Sequence, residues 1–349
     1  MCVVDCIIDI SSRPPRQFTV DCTTANRRLD AKAFDDHIAA ALDPIRDEYI
    51  SLGRRSPDID AFTVDATRVQ EADNYGCLGL VLLVRQLRNS FDATVDLQIP
   101  ETGQFAVDFR CGGFEKLLVM ERLVPPPDPY GEREDCEDQE TYPRSYAMGA
   151  VRSREDLFAL LNRSEQPLAY SLAAMREYRK DRPLLSRLAF TSRFLTVGLE
   201  LAQNILEHSQ RGRKPGEGYV SFCSARTHME IAVMDLGIGI PASLGYKSTE
   251  ATDSVEAIKR SCEPSVSSKK EEGRGLGLYL TRRTINELGG EMCIRSGKGK
   301  VVFDHTNDYL GEQAHASATP FFSGTQINLR LPIRATKGGT DHGTDKYSF

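Results

Sequence analysis

Three polar residues recur at a spacing of four in the segment T-V-G-L-E-L-A-Q-N-I-L-E-H-S, namely Glu200, Asn204 and His208. Residues four apart share one stripe of a helix. The apolar residues that follow the helical repeat and predict its buried stripe are Phe194, Val197, Leu201 and Ile205. An amide oxygen next to a carboxylate suits Mg2+, which keeps waters and takes few protein ligands beside phosphates. Taken singly, each of the three would fit a solvated helix face.

The segment H-M-E-I-A-V-M-D-L-G-I-G-I-P predicts a strand that ends in an aspartate and a glycine-rich turn. Ile231, Val233 and Asp235 share one face by the twofold repeat of a strand, so the carboxylate lies on the core side. A buried acid needs a hydrogen-bond donor, and the exocyclic amine of adenine is one that fits. Gly237 and Gly239 let the backbone turn close to a flat base. The alternative for this motif alone is an acidic turn.

Glycines alternate in G-R-G-L-G-L, directly before another predicted helix. Gly273, Gly275 and Gly277 would leave backbone N–H groups exposed at the helix N-terminus, which forms a natural phosphate cradle. A dinucleotide-binding turn uses similar glycines but follows a strand. Here the preceding segment, S-V-S-S-K-K-E-E, is polar and lid-like. Further on, Gly324 and Thr325 open a strand, and the threonine hydroxyl could bind a base or an ordered water.

In this order the four motifs resemble those of the GHKL ATPases, which include DNA gyrase B, heat-shock chaperones, histidine kinases, MutL and the anti-sigma-factor serine kinases. The resemblance covers about residues 185–333. It implies an ATP site in which Asn204 binds Mg2+, Asp235 anchors adenine and Thr325 lies near the base. The other cofactor-binding residues that it implies are His208, Gly237, Gly239, Gly273, Gly275 and Gly277.

The residue four positions before the magnesium asparagine separates branches of this family. In the gyrase, chaperone, MutL and serine-kinase branches it is a glutamate that acts as general base, whereas sensor histidine kinases usually differ there. Glu200 therefore favours ATP hydrolysis or serine/threonine phosphorylation, with Glu200 as the catalytic residue. Arg274 is a candidate for the positive charge that gyrase and MutL bring to the phosphates from a separate domain, and a surface arginine is the alternative.

An acidic, proline-rich stretch divides the chain. Residues 125–150 contain seven acids and two bases, which predicts a linker. We therefore expect an α/β domain over residues 1–124, an ATP-binding domain over 151–335 and a flexible tail over 336–349. For the second domain the resemblance implies a two-layer α/β sandwich with a mixed sheet. Because all four motifs follow the linker, this part alone is expected to bind Mg-ATP.

The first domain contains a predicted β-α-β unit in A-F-T-V-D-A, G-C-L-G-L-V-L-L-V-R-Q-L and T-V-D-L-Q-I-P. Over about residues 55–124 it resembles STAS domains, the fold of anti-anti-sigma factors. In that family a serine just before the helix accepts phosphate. Asn74 and Tyr75 stand at the matching positions, so the acceptor serine is missing. The resemblance implies a protein partner for this domain.

Composition excludes other classes of protein. The net charge is −6 and the sequence shows no basic patch, so we expect no nucleic-acid partner. The longest apolar run, residues 77–84, is far shorter than the ~20 residues of a membrane span. Nine cysteines without a C-x-x-C pair favour mostly reduced thiols in a cytoplasmic protein. A homodimer is left open.

The sequence thus predicts a signalling or regulatory protein that binds Mg-ATP and has slow ATPase or serine/threonine kinase activity. One alternative is a non-catalytic switch, in which ATP changes what the STAS-like domain binds. Another is a histidine kinase. That class carries its phospho-accepting histidine on a helix directly before the ATP domain, whereas His37, the only histidine of the first half, lies far upstream.

Overall fold

The computed structural model of the protein contains two α/β halves, each built on its own principal sheet. The structure describes residues 16–22, 26–51, 59–91, 93–125, 144–178, 184–209, 216–246, 250–264, 277–306 and 311–333.

The N-terminal half is built on three short parallel strands. Its elements are β1 (Gln17–Asp21), β2 (Arg28–Leu29), α1 (Ala31–Ala33), a π-helix (Phe34–Ala39), α2 (Asp43–Ser51), β3 (Ala61–Asp65), β4 (Glu71–Ala72), α3 (Asn74–Phe91), β5 (Thr94–Gln98), α4 (Gln104–Cys111) and α5 (Phe114–Met120). The strands pair in the order β1-β3-β5. Parallel neighbours need a crossover, which α3 supplies between β3 and β5. The predicted β-α-β unit is therefore present, while the likeness to a STAS domain stays a prediction.

Helix α3 is apolar on all sides over residues 77–84, and all of these residues are buried. A helix of this kind must be covered on every face. On one side it packs on its own half, and on the other it contacts the sheet of the C-terminal half.

The C-terminal half is a five-stranded sheet with helices. Its elements are β6 (Arg144–Val151), α6 (Arg154–Arg163), α7 (Glu165–Tyr178), α8 (Leu184–His208), β7 (Gly218–Ala225), β8 (His228–Asp235), α9 (Gly239–Ser243), α10 (Ala251–Ser261), α11 (Gly277–Leu288), β9 (Glu291–Asp304) and β10 (Gln313–Pro332). The strand order is β6-β7-β8-β10-β9, and every described pair is antiparallel. The expectation of a mixed sheet is therefore wrong for the described strands. A two-residue turn joins β7 to β8, and such a turn allows only antiparallel pairing.

Strand β6 contains residues 144–150, which the charge pattern assigns to the linker. Its residues pair with β7 from Arg144 opposite Ala225 to Val151 opposite Gly218. The linker prediction is wrong for these residues, because S-Y-A-M-G-A-V supplies apolar side chains to an edge strand. The remainder of the predicted linker, from 126 to 143, and the predicted tail lie outside the described residues.

The C-terminal sheet is covered on both faces. Helices α8, α10 and α11 pack on its inner face, around Ile231, Val233 and Leu329. The N-terminal half packs on its outer face, which we define by Tyr219, Ala232, Met234 and Phe322, residues that share one core with Phe34 and Tyr75. The expected two-layer sandwich thus has a third layer, because the first half of the chain supplies it.

The start of α3 makes polar contacts with the outer face. The Asn74 amide donates to the Ser221 carbonyl oxygen at 3.1 Å, and the Ser221 hydroxyl donates to Asn74 Oδ1 at 2.6 Å. The Asn74 backbone N–H donates to Glu230 Oε2 at 3.3 Å. Burial, followed by the charge of Glu230, raises the pKa of neighbouring Asp73 to about 7. Asn74 and Tyr75, which the predicted STAS likeness matches to the phosphate acceptor, therefore lie inside an intramolecular interface.

Residues 73–77 are expected to carry no phosphate after incubation of the full chain with Mg-ATP. Asn74 has no hydroxyl, and Tyr75 is 1% exposed, so a kinase cannot reach its ring without separating the two halves. Peptide mass spectrometry of the incubated protein measures this directly. Phosphotyrosine at Tyr75 would contradict the prediction and show that the interface opens.

Most of the described cysteines are buried free thiols, namely Cys22, Cys77, Cys223, Cys262 and Cys293. Burial, the largest effect, raises the pKa of the Cys262 thiol to about 12, which disfavours the reactive thiolate. Cys111 is disulfide-bonded, which the expectation of mostly reduced thiols allows.

Candidate active site

A cavity of about 800 Å³ opens between α8, the end of β8, α9, the start of α11 and β10. The residues predicted from the sequence that line it are Glu200, Asn204, His208, Asp235, Gly239, Gly277 and Thr325. Gly237 does not line it. Gly273, Arg274 and Gly275 lie outside the described residues. The structure therefore brings together predicted residues from all four motifs.

Helix α8 presents Glu200 and Asn204 to the cavity because its apolar stripe is held against the sheet. Leu201 and Ile205 are buried. Gly198 brings the helix close to the strands, since a β-carbon there would lie 2.6 Å from Ile231 Cδ1 and would clash. Glu200 is exposed and Asn204 is half-buried, so the stripe carries a carboxylate and an amide at the edge of the cavity. The close approach at Gly198 was not predicted from the sequence.

The carboxylate of Asp235 lies at the end of β8, next to the turn that follows the strand. Val233 and Asp235 point to the same face and both line the cavity, as the twofold repeat predicts. The Gly237 backbone N–H donates to Asp235 Oδ1 at 2.6 Å. This bond fixes the direction of the carboxylate.

The glycines around this aspartate are required for different reasons. At Gly237 a β-carbon would lie 2.5 Å from Ser209 Cα, at the end of α8. Gly237 therefore permits a contact between helix and turn, and the prediction that it lies against the base is not supported by its position. Gly324, in the irregular part of β10, has φ +79°. A β-carbon there would lie 2.0 Å from the Asp235 carbonyl oxygen, so the backbones of β8 and β10 touch at this point.

Ser296 in β9 was not predicted, yet it organises the wall of the cavity behind Gly239. Its hydroxyl donates to the Gly324 carbonyl oxygen at 2.8 Å and accepts from the Ile240 backbone N–H at 2.9 Å. Thr325 Oγ1 lies 3.2 Å from Ser296 Oγ. Because a serine has one hydroxyl hydrogen, which goes to Gly324, Thr325 must be the donor in this contact. Thr325 is then left as an acceptor toward the cavity, like the carboxylate of Asp235.

Helix α11 begins beside Asn204. A β-carbon at Gly277, its first residue, would lie 3.6 Å from Asn204 Nδ2. The N-terminus of a helix of this length carries partial positive charge and unpaired N–H groups, which favour an anion. Among the described residues no cluster of histidine, cysteine, aspartate and glutamate could hold a metal ion by itself. The amide oxygen of Asn204 beside an anion site fits Mg2+ that arrives with a phosphate.

Sequence comparisons relate part of this chain to known proteins. Residues 191–335 match the family described as "Histidine kinase-, DNA gyrase B-, and HSP90-like ATPase". Over 86 residues, 24% of this chain, the sequence is 29% identical to the signal transduction histidine-protein kinase BarA of Escherichia coli (strain K12). The BarA proteins of Escherichia coli O157:H7 and Shigella flexneri match at the same identity. The matched segment spans 8% of the length of these relatives.

Residues 191–335 therefore resemble an ATPase domain of this type, and the match supports ATP binding and ATPase or kinase activity in general. Over the described part of the chain, no helix is long and apolar enough to cross a membrane.

Proposed function

We propose that the protein binds Mg-ATP in this cavity and transfers the γ-phosphate to water or to a serine or threonine hydroxyl. The observation that carries the proposal is that Glu200, Asn204 and Asp235 line one cavity. They come from two elements of the fold, and the start of α11 lies beside them. The match to the ATPase family supports the same ligand.

The base is proposed to bind at the end of the cavity formed by Asp235 and Thr325. Both offer hydrogen-bond acceptors, as the Ser296 contacts require of the threonine. The exocyclic amine of adenine is a double donor, whereas guanine presents a carbonyl oxygen at the corresponding position and would face two acceptors. The pocket therefore favours adenine over guanine.

The phosphates are proposed to lie between Asn204 and the N-terminus of α11. Mg2+, bound through the Asn204 amide oxygen, would neutralise the charge of the phosphate oxygens. His208, at the end of α8, lines the same cavity and is proposed as a further nucleotide contact. Gly273, Arg274 and Gly275 are proposed to cover the phosphates from the segment before α11.

Glu200 is proposed to accept the proton of the attacking group. As the water or hydroxyl oxygen bonds to the γ-phosphorus, the bond to the bridging oxygen breaks and ADP leaves with that oxygen. The proton of the nucleophile moves to the carboxylate of Glu200. Its side chain is exposed at the cavity, so an external protein substrate can approach it.

A non-catalytic switch is the second candidate, and a specific observation favours it. The N-terminal half packs on the outer face of the same sheet that carries the cavity on its inner face. Nucleotide binding could then alter what the N-terminal half presents to a protein partner.

A histidine kinase is supported by the likeness to BarA, but His37 does not suit it. His37 lies in the π-helix Phe34–Ala39, which packs on the outer face through Phe34 and Ile38. This π-helix and the cavity lie on opposite faces of the sheet.

The proposal is tested by incubating the full chain with γ-labelled Mg-ATP while released phosphate and protein-bound label are followed. We expect ATP to raise the melting temperature, because a ligand at one hundred times its Kd stabilises the folded state by about 2.7 kcal/mol. Asp235→Ala should lose this shift, since it removes an acceptor for the base.

The matched control is Asp96→Ala, which replaces an exposed aspartate on β5, outside the cavity. It should keep the full shift. If ATP raises the melting temperature of folded Asp235→Ala as much as that of the wild type, the base must bind elsewhere. No shift in the folded wild type would contradict ATP binding itself.

A further inference from the structure

Three charged residues meet in a buried cluster where the N-terminal half contacts β9. Asp35, in the π-helix, is 2% exposed, Arg295 is 0% exposed and Lys300 is 7% exposed. Lys300 Nζ donates to Asp35 Oδ2 at 2.6 Å, and Arg295 Nε donates to Asp35 Oδ1. Buried charges are tolerated when they are paired. Asp35 is therefore the counter-ion that keeps Arg295 in the sheet.

Arg295 also holds the segment that leads into the base pocket. Its guanidinium donates to the Pro320 carbonyl oxygen at 2.6 Å and to Gln326 Oε1 at 3.2 Å. The central carbon of the guanidinium, Cζ, lies 5.3 Å from the ring centroid of Phe322. Residues 320–326 belong to the irregular part of β10, where the register with β9 shifts. One arginine thus contacts both ends of this irregular segment.

Gln326 continues the chain of contacts toward the nucleotide. Its amide nitrogen donates to the Ser323 carbonyl oxygen at 2.8 Å and lies 3.5 Å from the Asp235 carbonyl oxygen. Gln326 is 1% exposed, so bulk water cannot replace a lost partner of this amide.

Ser296 holds the same irregular segment from the opposite face of the sheet. Neighbouring residues of a strand point to opposite faces, so Arg295 faces the N-terminal half while Ser296 faces the side of the sheet that carries the cavity. Ser296 contacts Gly324 and Thr325. The irregular segment that presents Thr325 is therefore held by Ser296 on one face of the sheet and by Arg295 on the other. Asp35 of the N-terminal half balances the charge of Arg295.

We propose that Asp35 is a positioning residue for the base pocket, acting through Arg295 and Gln326, so that docking of the N-terminal half and nucleotide binding are coupled. The inference rests on the proposed function. Without Asp35 the guanidinium would have to seek water, and it would leave Pro320 and Gln326. The irregular segment of β10 would then loosen at Thr325. Because coupling between two sites is reciprocal, nucleotide must in turn tighten the docking of residues 31–39.

The first test compares Asp35→Asn with Lys300→Met in the full chain. Asp35→Asn is expected to raise the Kd for ATP about tenfold, within the five- to 150-fold range of coupled sites, and to lower the preference for ATP over GTP by a similar factor. Lys300→Met leaves Asp35 paired with Arg295 and should change the Kd less than twofold. Equal affinities in wild type and Asp35→Asn would overturn the proposal. An equal loss of ATP affinity in Asp35→Asn and Lys300→Met would also overturn the proposal, because it would indicate general loosening of the interface.

The second test needs no variant, so it can test the coupling between docking and nucleotide binding even if Asp35→Asn does not fold. Hydrogen exchange of the wild-type chain is measured with and without Mg-ATP. We expect slower exchange at residues 235–240, beside the cavity, and also at residues 31–39, on the far side of the sheet. Protection at 235–240 alone would overturn the coupling while ATP binding stands. Protection at neither segment would overturn the proposed function, and the coupling with it.

Discussion

Glu200→Gln should leave Mg-ATP binding unchanged while turnover falls by the 10²–10⁴-fold that is typical of general-base catalysis. Glutamine keeps the length and the hydrogen-bonding reach of the side chain but cannot accept a proton. Glu200 is exposed at the cavity, one helical turn from Asn204, so the substitution should disturb neither the fold nor the proposed metal ligand. The Kd for ATP should therefore stay at the wild-type value in this variant while the turnover rate falls.

The measurement pairs the Kd for ATP with the rate of phosphate release and of label transfer to protein. The matched control is Glu256→Gln, an exposed glutamate on α10 that does not line the cavity. Glu256→Gln should keep the wild-type Kd for ATP and the wild-type turnover rate. Equal turnover in wild type and Glu200→Gln would remove the catalytic role. A wild type that binds ATP tightly but shows no turnover would make the switch the leading function.

The candidate site was largely predictable because its residues follow local rules. The spacing of four placed Glu200 and Asn204 on one stripe of a helix, and the twofold repeat placed Asp235 on the core face of its strand. Each rule concerns neighbours in sequence. The structure then brings these residues to one cavity with Thr325, in agreement with the order of the motifs.

The supporting residues were not predictable because they depend on distant contacts. Ser296 lies opposite Thr325 only through the register of β9 and β10, which shifts twice at irregularities between residues 318 and 325. The pair of Asp35 and Arg295 joins residues 260 positions apart. No periodicity in either segment indicates such a contact.

The third layer was missed because the outer face of the sheet resembles a solvated one. In β8, Glu230 alternates with the apolar Met229 and Ile231, a pattern that usually places the acid in water. Glu230 is nevertheless 1% exposed, because it accepts from the Asn74 N–H and lies beside His228. Buried polar side chains that are paired cannot be distinguished from exposed ones by alternation alone.

The third layer gives a physical reason to expect the opposite of the prediction that the C-terminal half binds ATP alone. A chain beginning at Val151 would lose the rest of β6, the edge strand, and would uncover the outer face. Arg295 would lose Asp35, and Met234 and Phe322 would lose their apolar cover. Breaking one buried ion pair costs about 3–5 kcal/mol, a large part of the roughly 5–15 kcal/mol that holds a domain together. We therefore expect this chain to show neither cooperative unfolding nor an ATP-dependent shift.

The loss of part of β6 and the uncovering of the outer face can be separated with a chain beginning at Arg144, which keeps β6 but still lacks the N-terminal half. If the uncovered outer face is the main cause, the chain beginning at Arg144 should also show no cooperative unfolding and no ATP shift. Addition of a polypeptide of residues 1–125 should then restore both. If the missing strand dominates, the chain from Arg144 should fold and bind ATP by itself. Circular dichroism melts with and without Mg-ATP distinguish these results. Cooperative melting with a full ATP shift in the chain beginning at Val151 would show that the ATPase domain needs neither β6 nor the N-terminal half.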